Sequence, residues 1–326
     1  MTAVRQIGHA TDTGKKRRRN EDEYVAEPPL FAVADGMGGA QAGELAASLA
    51  AGAVREDQRD AGSGERHVAE LIQEANRRVY QRSNEDATVS GMGTTMTVAL
   101  VEDGTVSFGH VGDSRAYLIR DRKLEQLTED HSLVAELVRS GQLSPEEAET
   151  HPQRSVITRA LGSDPDVDVD TFSIEARPDD LFMICSDGLT SMVDDEVILA
   201  TVEKHRDNLQ AAAKALIKAA NKGGGEDNIT VVFFEIGDSS AEPLEETAQY
   251  PAFRDGEPET DDEDTLDELD RVPAVDTMVV PPEEAAKIVR AAKPKRRVRS
   301  RVVPALLLIL VALAVVAIVL WTLSNR

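Results

Sequence analysis

The sequence predicts an α+β layered domain over residues 1–237, then a charged linker over 238–301 and a membrane-spanning helix over 302–323. Three observations carry this reading. Short runs rich in Val, Ile, Thr and aromatics are joined by links too short for parallel crossovers, so their sheet is antiparallel. Helical periodicity occurs in groups instead of alternating with strands, which favours α+β over a doubly wound fold. Near the C-terminus the chain carries 22 consecutive uncharged residues.

In chain order, LFAVA (30–34) is the first strand-like run. Helical spacing follows at 43–57 and again at 65–86, where Val68, Leu71, Ile72, Ala75 and Val79 recur at three and four. TTMTVALV (94–101), TVSFGHV (105–111) and RAYLIR (115–120) are separated by the links 102–104 and 112–114, both short enough for hairpins. LFMIC (181–185), a helical stretch around 194–220 and ITVVFFEI (229–236) complete the domain. No internal repeat is present.

Charge divides the chain into three. Asp238 to Glu284 holds 17 acids and two bases, and with so little apolar content it reads as a flexible, self-repelling spacer. Ala285 to Arg326 has nine bases and no acid. Within it, VVPALLLILVALAVVAIVLWTL (302–323) spans roughly 33 Å as a helix, enough to cross a bilayer. Six bases between Lys293 and Arg301 flank its N-terminal side, which places the large domain in the cytoplasm. The N-terminus has no apolar leader-like region. A formal charge of −23 argues against a nucleic-acid face, and a single cysteine, Cys185, excludes a disulfide framework or multi-cysteine zinc site. Cys185 ends an apolar strand and reads as a core residue.

The chemically informative feature is a set of aspartates where strands give way to turns. Asp35 opens DGMGG, Asp113 opens DSR, Asp187 opens DGLT, and Asp227 with Asn228 precedes ITVVFF. A lone strand-end aspartate is an ordinary turn former. If these strand ends converge, like charges raise one another's pKa and cations relieve them. Oxygen-only ligation suits magnesium or manganese. Gly36, Gly38 and Gly39 allow close backbone approach, with the Gly36 carbonyl available to an ion. The N-terminal TDTGKKRRRNED (11–22) sets a basic cluster before Glu21 and Asp22, and an arginine there suits a phosphoryl group.

These motifs, with GMGTT (91–95), HVGDSRAYL (110–118), HPQRSVITRALG (151–162) and GGGEDNITVVFF (223–234), resemble in order and spacing the bacterial, membrane-anchored branch of the metal-dependent type 2C serine/threonine phosphatases, over about residues 4–237. The resemblance implies a four-layer αββα sandwich and two Mn²⁺ or Mg²⁺ ions. Asp35 would bridge the ions, the Gly36 carbonyl would bind the second, and Asp187 and Asp227 would complete the first. Glu21 and Asp22 would hold metal-bound waters. Asp113 with Asp187, joined by Ser155 from the flap, would bind a third, weaker ion, and Arg17 would bind phosphate. The implied reaction is one-step hydrolysis of phosphoserine or phosphothreonine by a metal-bridging hydroxide. Eukaryotic relatives carry a proposed acid histidine where this chain has Met37, so a metal-bound water is the expected proton donor. Residues 127–162 match the mobile flap, and its His131 and His151 read as surface or capping residues.

Other classes fit poorly. Six residues after Cys185 stands Ser191, not the arginine of a cysteine phosphatase, and DVDVDTF (166–172) lacks the DxDx[TV] pattern. GxxxxGK[ST] and HExxH are absent. Two alternatives remain: an inactive membrane-tethered scaffold, or a same-fold phosphatase of small metabolites. The partners expected are phosphorylated proteins, including membrane serine/threonine kinases, with the chain a monomer, single-pass in the cell membrane.

Overall fold

The structure, a computed structural model, describes residues 3–38, 42–57, 64–237 and 278–279. Strands β1 (Ala3–Asp12), β2 (Asp22–Glu27) and β3 (Leu30–Met37) lead into helices α1 (Ala42–Arg55) and α2 (Glu65–Glu85). Then come β4 (Gly93–Thr94), β5 (Met96–Glu102), β6 (Thr105–Val111), β7 (Arg115–Arg120) and β8 (Lys123–Gln126). Short helices α3 (Leu133–Arg139) and α4 (Pro145–Glu149) precede β9 (Val156–Ile157), β10 (Asp170–Glu175) and β11 (Leu181–Cys185). Helices α5 (Asp187–Thr190), α6 (Asp195–Lys204) and α7 (Leu209–Gly223), strand β12 (Ile229–Gly237) and the distant β13 (Met278–Val279) follow.

Two antiparallel sheets result, ordered β1-β12-β11-β7-β8 and β10-β6-β5-β3-β2. Their facing surfaces close on phenylalanines from both. Phe31 of β3 stacks on Phe234 of β12 at 4.2 Å between ring centroids, Phe182 of β11 lies 5.1 Å from Phe234, and Phe108 of β6 lies 5.7 Å from Phe182. Each ring is fully buried, and burial of this kind contributes about 1.5–3 kcal/mol per side chain.

The outer faces are covered by helices. Val68, Leu71, Ile72, Ala75 and Val79 put one apolar stripe of α2 onto the β3-containing sheet. The alanines of α1 at 46, 47, 50 and 51 are buried in the same cluster. Leu209, Ala212, Ala213, Leu216 and Ala220 of α7, with Ile198 and Val202 of α6, cover the other sheet beside Cys185. The fold is therefore α+β, with two stacked antiparallel sheets flanked by helices.

Three expectations need comment. The link 102–104 makes the expected hairpin between β5 and β6, but 112–114 does not join β6 to β7 in one sheet. It carries the chain from one sheet to the other. Gly112, at φ +115°, supplies the turn, and the Thr97 hydroxyl donates to the Ser114 carbonyl at 3.1 Å to fix the crossing. Second, the short strand β13 falls within the segment 238–301 read as an unstructured spacer. Third, the expected membrane span at 302–323 lies outside the described residues; among those that are described, no helix is long and apolar enough to cross a membrane.

Candidate active site

The strand ends converge at one end of the sandwich. Antiparallel pairing sets Asp22, at the start of β2, opposite Asp35 near the end of β3. β3 does not stop at Asp35: Gly36 pairs with Thr94 and Met37 with Gly93, so β4 holds the strand straight through the turn motif. Asp187 follows β11, Asp227 precedes β12, and Asp113 lies on the inter-sheet crossing. Because the two sheets supply opposite walls, five aspartates from distant parts of the chain face one small region.

Their backbones are held tightly. The Asp35 carbonyl accepts from the Thr95 N–H and the Thr94 hydroxyl, both at 2.8 Å. The Asp35 N–H donates to the Thr95 hydroxyl at 3.2 Å, and that hydroxyl bonds Ser114 beside Asp113. The Gly36 N–H donates to the Glu21 carbonyl at 3.1 Å. A Cβ on Gly36 would stand 2.1 Å from the Gly43 carbonyl oxygen of α1, so only glycine fits this cradle.

The electrostatics reflect crowding. Burial raises Asp35 well above the ordinary carboxylate range, with Asp22, Asp187, Asp227 and Asp113 pushing the same way. Asp22, 6 % exposed, is pushed up to about 7, first by burial and then by Asp227 and Asp187, although hydrogen bonds from Thr230 and Ser186 oppose the rise. Burial and Asp227 push Asp187 up to about 6, against a hydrogen bond with Asp35 and the charges of Arg17 and Arg115. Asp113 is raised well above the usual range by burial, Asp187 and Asp130. Asp35 and Asp187 nevertheless keep part of their surface in solvent, as a site reached from outside requires.

Arg17 answers this charge. Its Nη2 lies 2.9 Å from Asp227 Oδ2, and the charges of Asp35 and Glu21 also act on it. Glu21, 9 % exposed, is fixed by its own N–H donating to Asn228 Oδ1 at 2.8 Å.

The structure thus brings together Arg17, Glu21, Asp22, Asp35, Gly36, Asp113, Asp187 and Asp227. Ser155 is half-buried in the turn just before β9, and among the described residues its hydroxyl bonds none of these carboxylates. Two contributors were not assigned a role from the sequence. The Asn228 amide donates to the Thr13 and Arg19 carbonyls, both at 2.9 Å, and so fastens the basic N-terminal loop onto β12. The Ser186 hydroxyl donates to Asp22 Oδ2 at 2.9 Å and accepts from the Thr230 N–H. Asn228 had a hint in its place beside Asp227; Ser186 had none. His131 proves buried: its Nδ1 accepts from the Gly112 N–H at 3.0 Å, while Nε2 faces Asp170 and Arg159. His151 is a local turn cap, accepting from the Gln153 N–H.

The donor set fits hard divalent cations. Asp22 Oδ1 and Asp187 Oδ1 are buried without a hydrogen-bond partner, the available ligands are all oxygens, and cations would relieve the repulsion that raises Asp35. Among the described residues, no three His, Cys, Asp or Glu side chains are drawn in to closed metal-cage spacing.

The family model described as Protein phosphatase 2C matches residues 16–220. The serine/threonine phosphatase stp of Listeria monocytogenes is 40 % identical over 236 residues, covering 69 % of this chain and 93 % of the relative. The crystal structure of the Mycobacterium tuberculosis serine/threonine phosphatase PstP/Ppp superposes with a TM-score of 0.68 at 38 % identity, covering 71 % of this chain and 98 % of that one. A structure of the PstP catalytic domain in complex with two manganese ions gives 0.67 at 35 % identity, covering 73 % and 100 %.

Proposed function

The chain belongs to the protein phosphatase 2C family, and from that premise we propose how its residues carry out metal-dependent hydrolysis of phosphoserine and phosphothreonine in proteins. The observation that carries the reading is the convergence of five raised or paired aspartates at one end of the sandwich, two with unpartnered buried oxygens.

Asp35, Asp187, Asp227 and the Gly36 carbonyl would hold two manganese or magnesium ions, with Glu21 and Asp22 orienting water around them and Asp113, assisted by Ser155, serving a third. When bound, such ions bring a water's pKa toward neutrality and offset charge on phosphoryl oxygens. Arg17, placed at the site by its pairing with Asp227, would grip two phosphoryl oxygens and align the phosphorus for in-line attack. The attacking oxygen comes from water, the P–O bond to the seryl or threonyl oxygen breaks, and that oxygen leaves with a proton. Met37 has no proton to give and lies buried with Ile157 and Ala160, so water in the site supplies it.

The test is hydrolysis of a phosphothreonine peptide with manganese, magnesium or chelator, alongside Asp187→Asn and Asp227→Asn. Turnover that needs the metal and collapses in both variants is expected. Equal turnover with chelator present would overturn the reading.

The apolar run 302–323 supports a tether to the cell membrane with the catalytic domain in the cytoplasm, where membrane serine/threonine kinases would be its opponents. Removing 302–326 should slow dephosphorylation of membrane targets relative to soluble ones; equal rates before and after removal would refute the tether.

A further inference from the structure

The flap around 127–162 is held to the body of the domain at several points. The Leu161 and Thr94 backbones bond reciprocally, at 2.9 and 3.2 Å, anchoring its end to β4. Ile157 of β9 bridges Ser132 in antiparallel sense, with the Thr158 N–H donating to the His131 carbonyl at 2.8 Å. One edge of β9 is therefore satisfied from within the flap. Backbone groups alternate sides along a strand, so the N–H and C=O of Ile157 itself point to the other edge.

That other edge is occupied. Met278 and Val279 lie beside it in parallel register, Met278 opposite Val156 and Val279 opposite Ile157. The pairing joins residues more than a hundred positions apart. In sequence, Pro281 and Pro282 follow Val280, and proline, lacking an N–H, cannot extend a ladder.

β9 is close to the chemistry on two sides. Ile157 packs with Met37 and Ala160, and Met37 directly follows the Gly36 cradle. Arg154, two residues before β9, lies 3.8 Å from Glu226, next to Asp227. Between them stands Ser155. Val156 faces the other way, into a small cluster with Leu133, Leu137 and Leu143. A strand fixed along β9 thus constrains a segment in contact with both walls of the candidate site.

We propose that the edge of β9 turned away from Ser132 is a docking site for the chain's own residues Met278–Val279, and that this pairing restrains the flap and limits access to the site. The effect on access rests on the phosphatase reading, but the docking itself does not. A two-residue ladder would be too weak to hold a separate peptide. Here both strands belong to one chain, and an intramolecular partner acts at an effective concentration of about millimolar. Substrate must move the flap against this contact.

The experiment compares the full-length chain with Met278→Pro and Met278→Leu by hydrogen exchange over residues 152–160 and by turnover of a phosphothreonine peptide. In this parallel register the backbone of Met278 faces β9 while that of Val279 faces away, so proline at 278 removes a ladder donor, and the loss of about one net hydrogen bond corresponds to roughly fivefold. Exchange at Ile157 should therefore quicken about fivefold in Met278→Pro, kcat/KM should rise by a similar factor, and Met278→Leu should match the parent. Identical exchange in the parent and Met278→Pro overturns the docking. Faster exchange with unchanged turnover overturns the restraint. Faster exchange in a chain that hydrolyses no phosphopeptide, with or without metal, upholds the docking and refutes the phosphatase reading instead.

Discussion

Replacing Asp22 by Asn in chelator-treated protein should make stability less sensitive to pH, by an amount that follows from the surroundings of Asp22. Its pKa stands at about 7 in the folded chain against 3.8 ordinarily. Between those values the folded state binds the extra proton, so stability falls as pH rises through the window and levels off above about 7. At 1.36 kcal/mol per unit, keeping this carboxylate folded costs about 4 kcal/mol at pH 8 and about 2 kcal/mol at pH 5. Asn keeps the acceptor that the Ser186 hydroxyl uses, but its amide would meet the partnerless environment of Asp22 Oδ1, a penalty of about 1–3 kcal/mol. That penalty is independent of pH. The variant should therefore gain about 2 kcal/mol on the parent in going from pH 5 to pH 8, whatever its offset. Urea unfolding followed by circular dichroism at both pH values, with chelator throughout, measures the difference. A change below about 0.5 kcal/mol would mean that Asp22 is not held protonated by burial and its acidic neighbours, and saturating manganese should reduce the advantage of the variant.

Three further outcomes are expected. Asn228→Ala removes the side chain that bonds Glu21, Thr13 and Arg19, so it should lower stability by about 1–3 kcal/mol and raise KM for a phosphopeptide; an unchanged KM would mean that the Arg17 loop is held by other contacts. Phe234→Ala opens the aromatic seam between the sheets and should cost about 3–5 kcal/mol in urea titrations, while a loss under 1 kcal/mol would show that the sheets do not depend on it. Met37→His should add a titrating group beside Gly36 and alter the pH profile of kcat, and an unchanged profile would count against water as the present proton source.

The sequence displayed much of the fold because periodicity reports burial directly. The stripe Val68 to Val79 predicted α2, and LFMIC and ITVVFFEI proved to be central strands buried on both faces. It misled at 112–114, where a short link of Gly, Asp and Ser is compatible both with a hairpin and with a step between sheets. Stacking of the two sheets decides between these, and stacking is not a local property. The exposed or irregular strands β8 and β10 escaped because their alternation is mostly polar. For the site, strand-end aspartates were legible as a set, yet their supports were not. Ser186 and Asn228 act through hydrogen bonds that reach across as many as 164 and 215 positions of sequence, and no spacing rule encodes such distances. His131 was misplaced for a related reason: a polar flap sequence conceals a side chain buried against Gly112.

The pairing of the first strand with the last has a consequence for synthesis. Asp12 of β1 lies opposite Ile229 of β12, so 217 residues must be added before that edge is covered. At about 5–20 residues per second, β1 waits on the order of ten to forty seconds with its backbone unpaired. The same interval passes before Asp227 exists to meet Arg17, which was translated near the beginning. A ribosome-bound chain can bury α2 on its own sheet well before then, but it has no complete carboxylate cluster. Hydrolytic capacity would thus arrive abruptly with the final strand, so that truncated products of interrupted translation carry much of the domain and none of its chemistry.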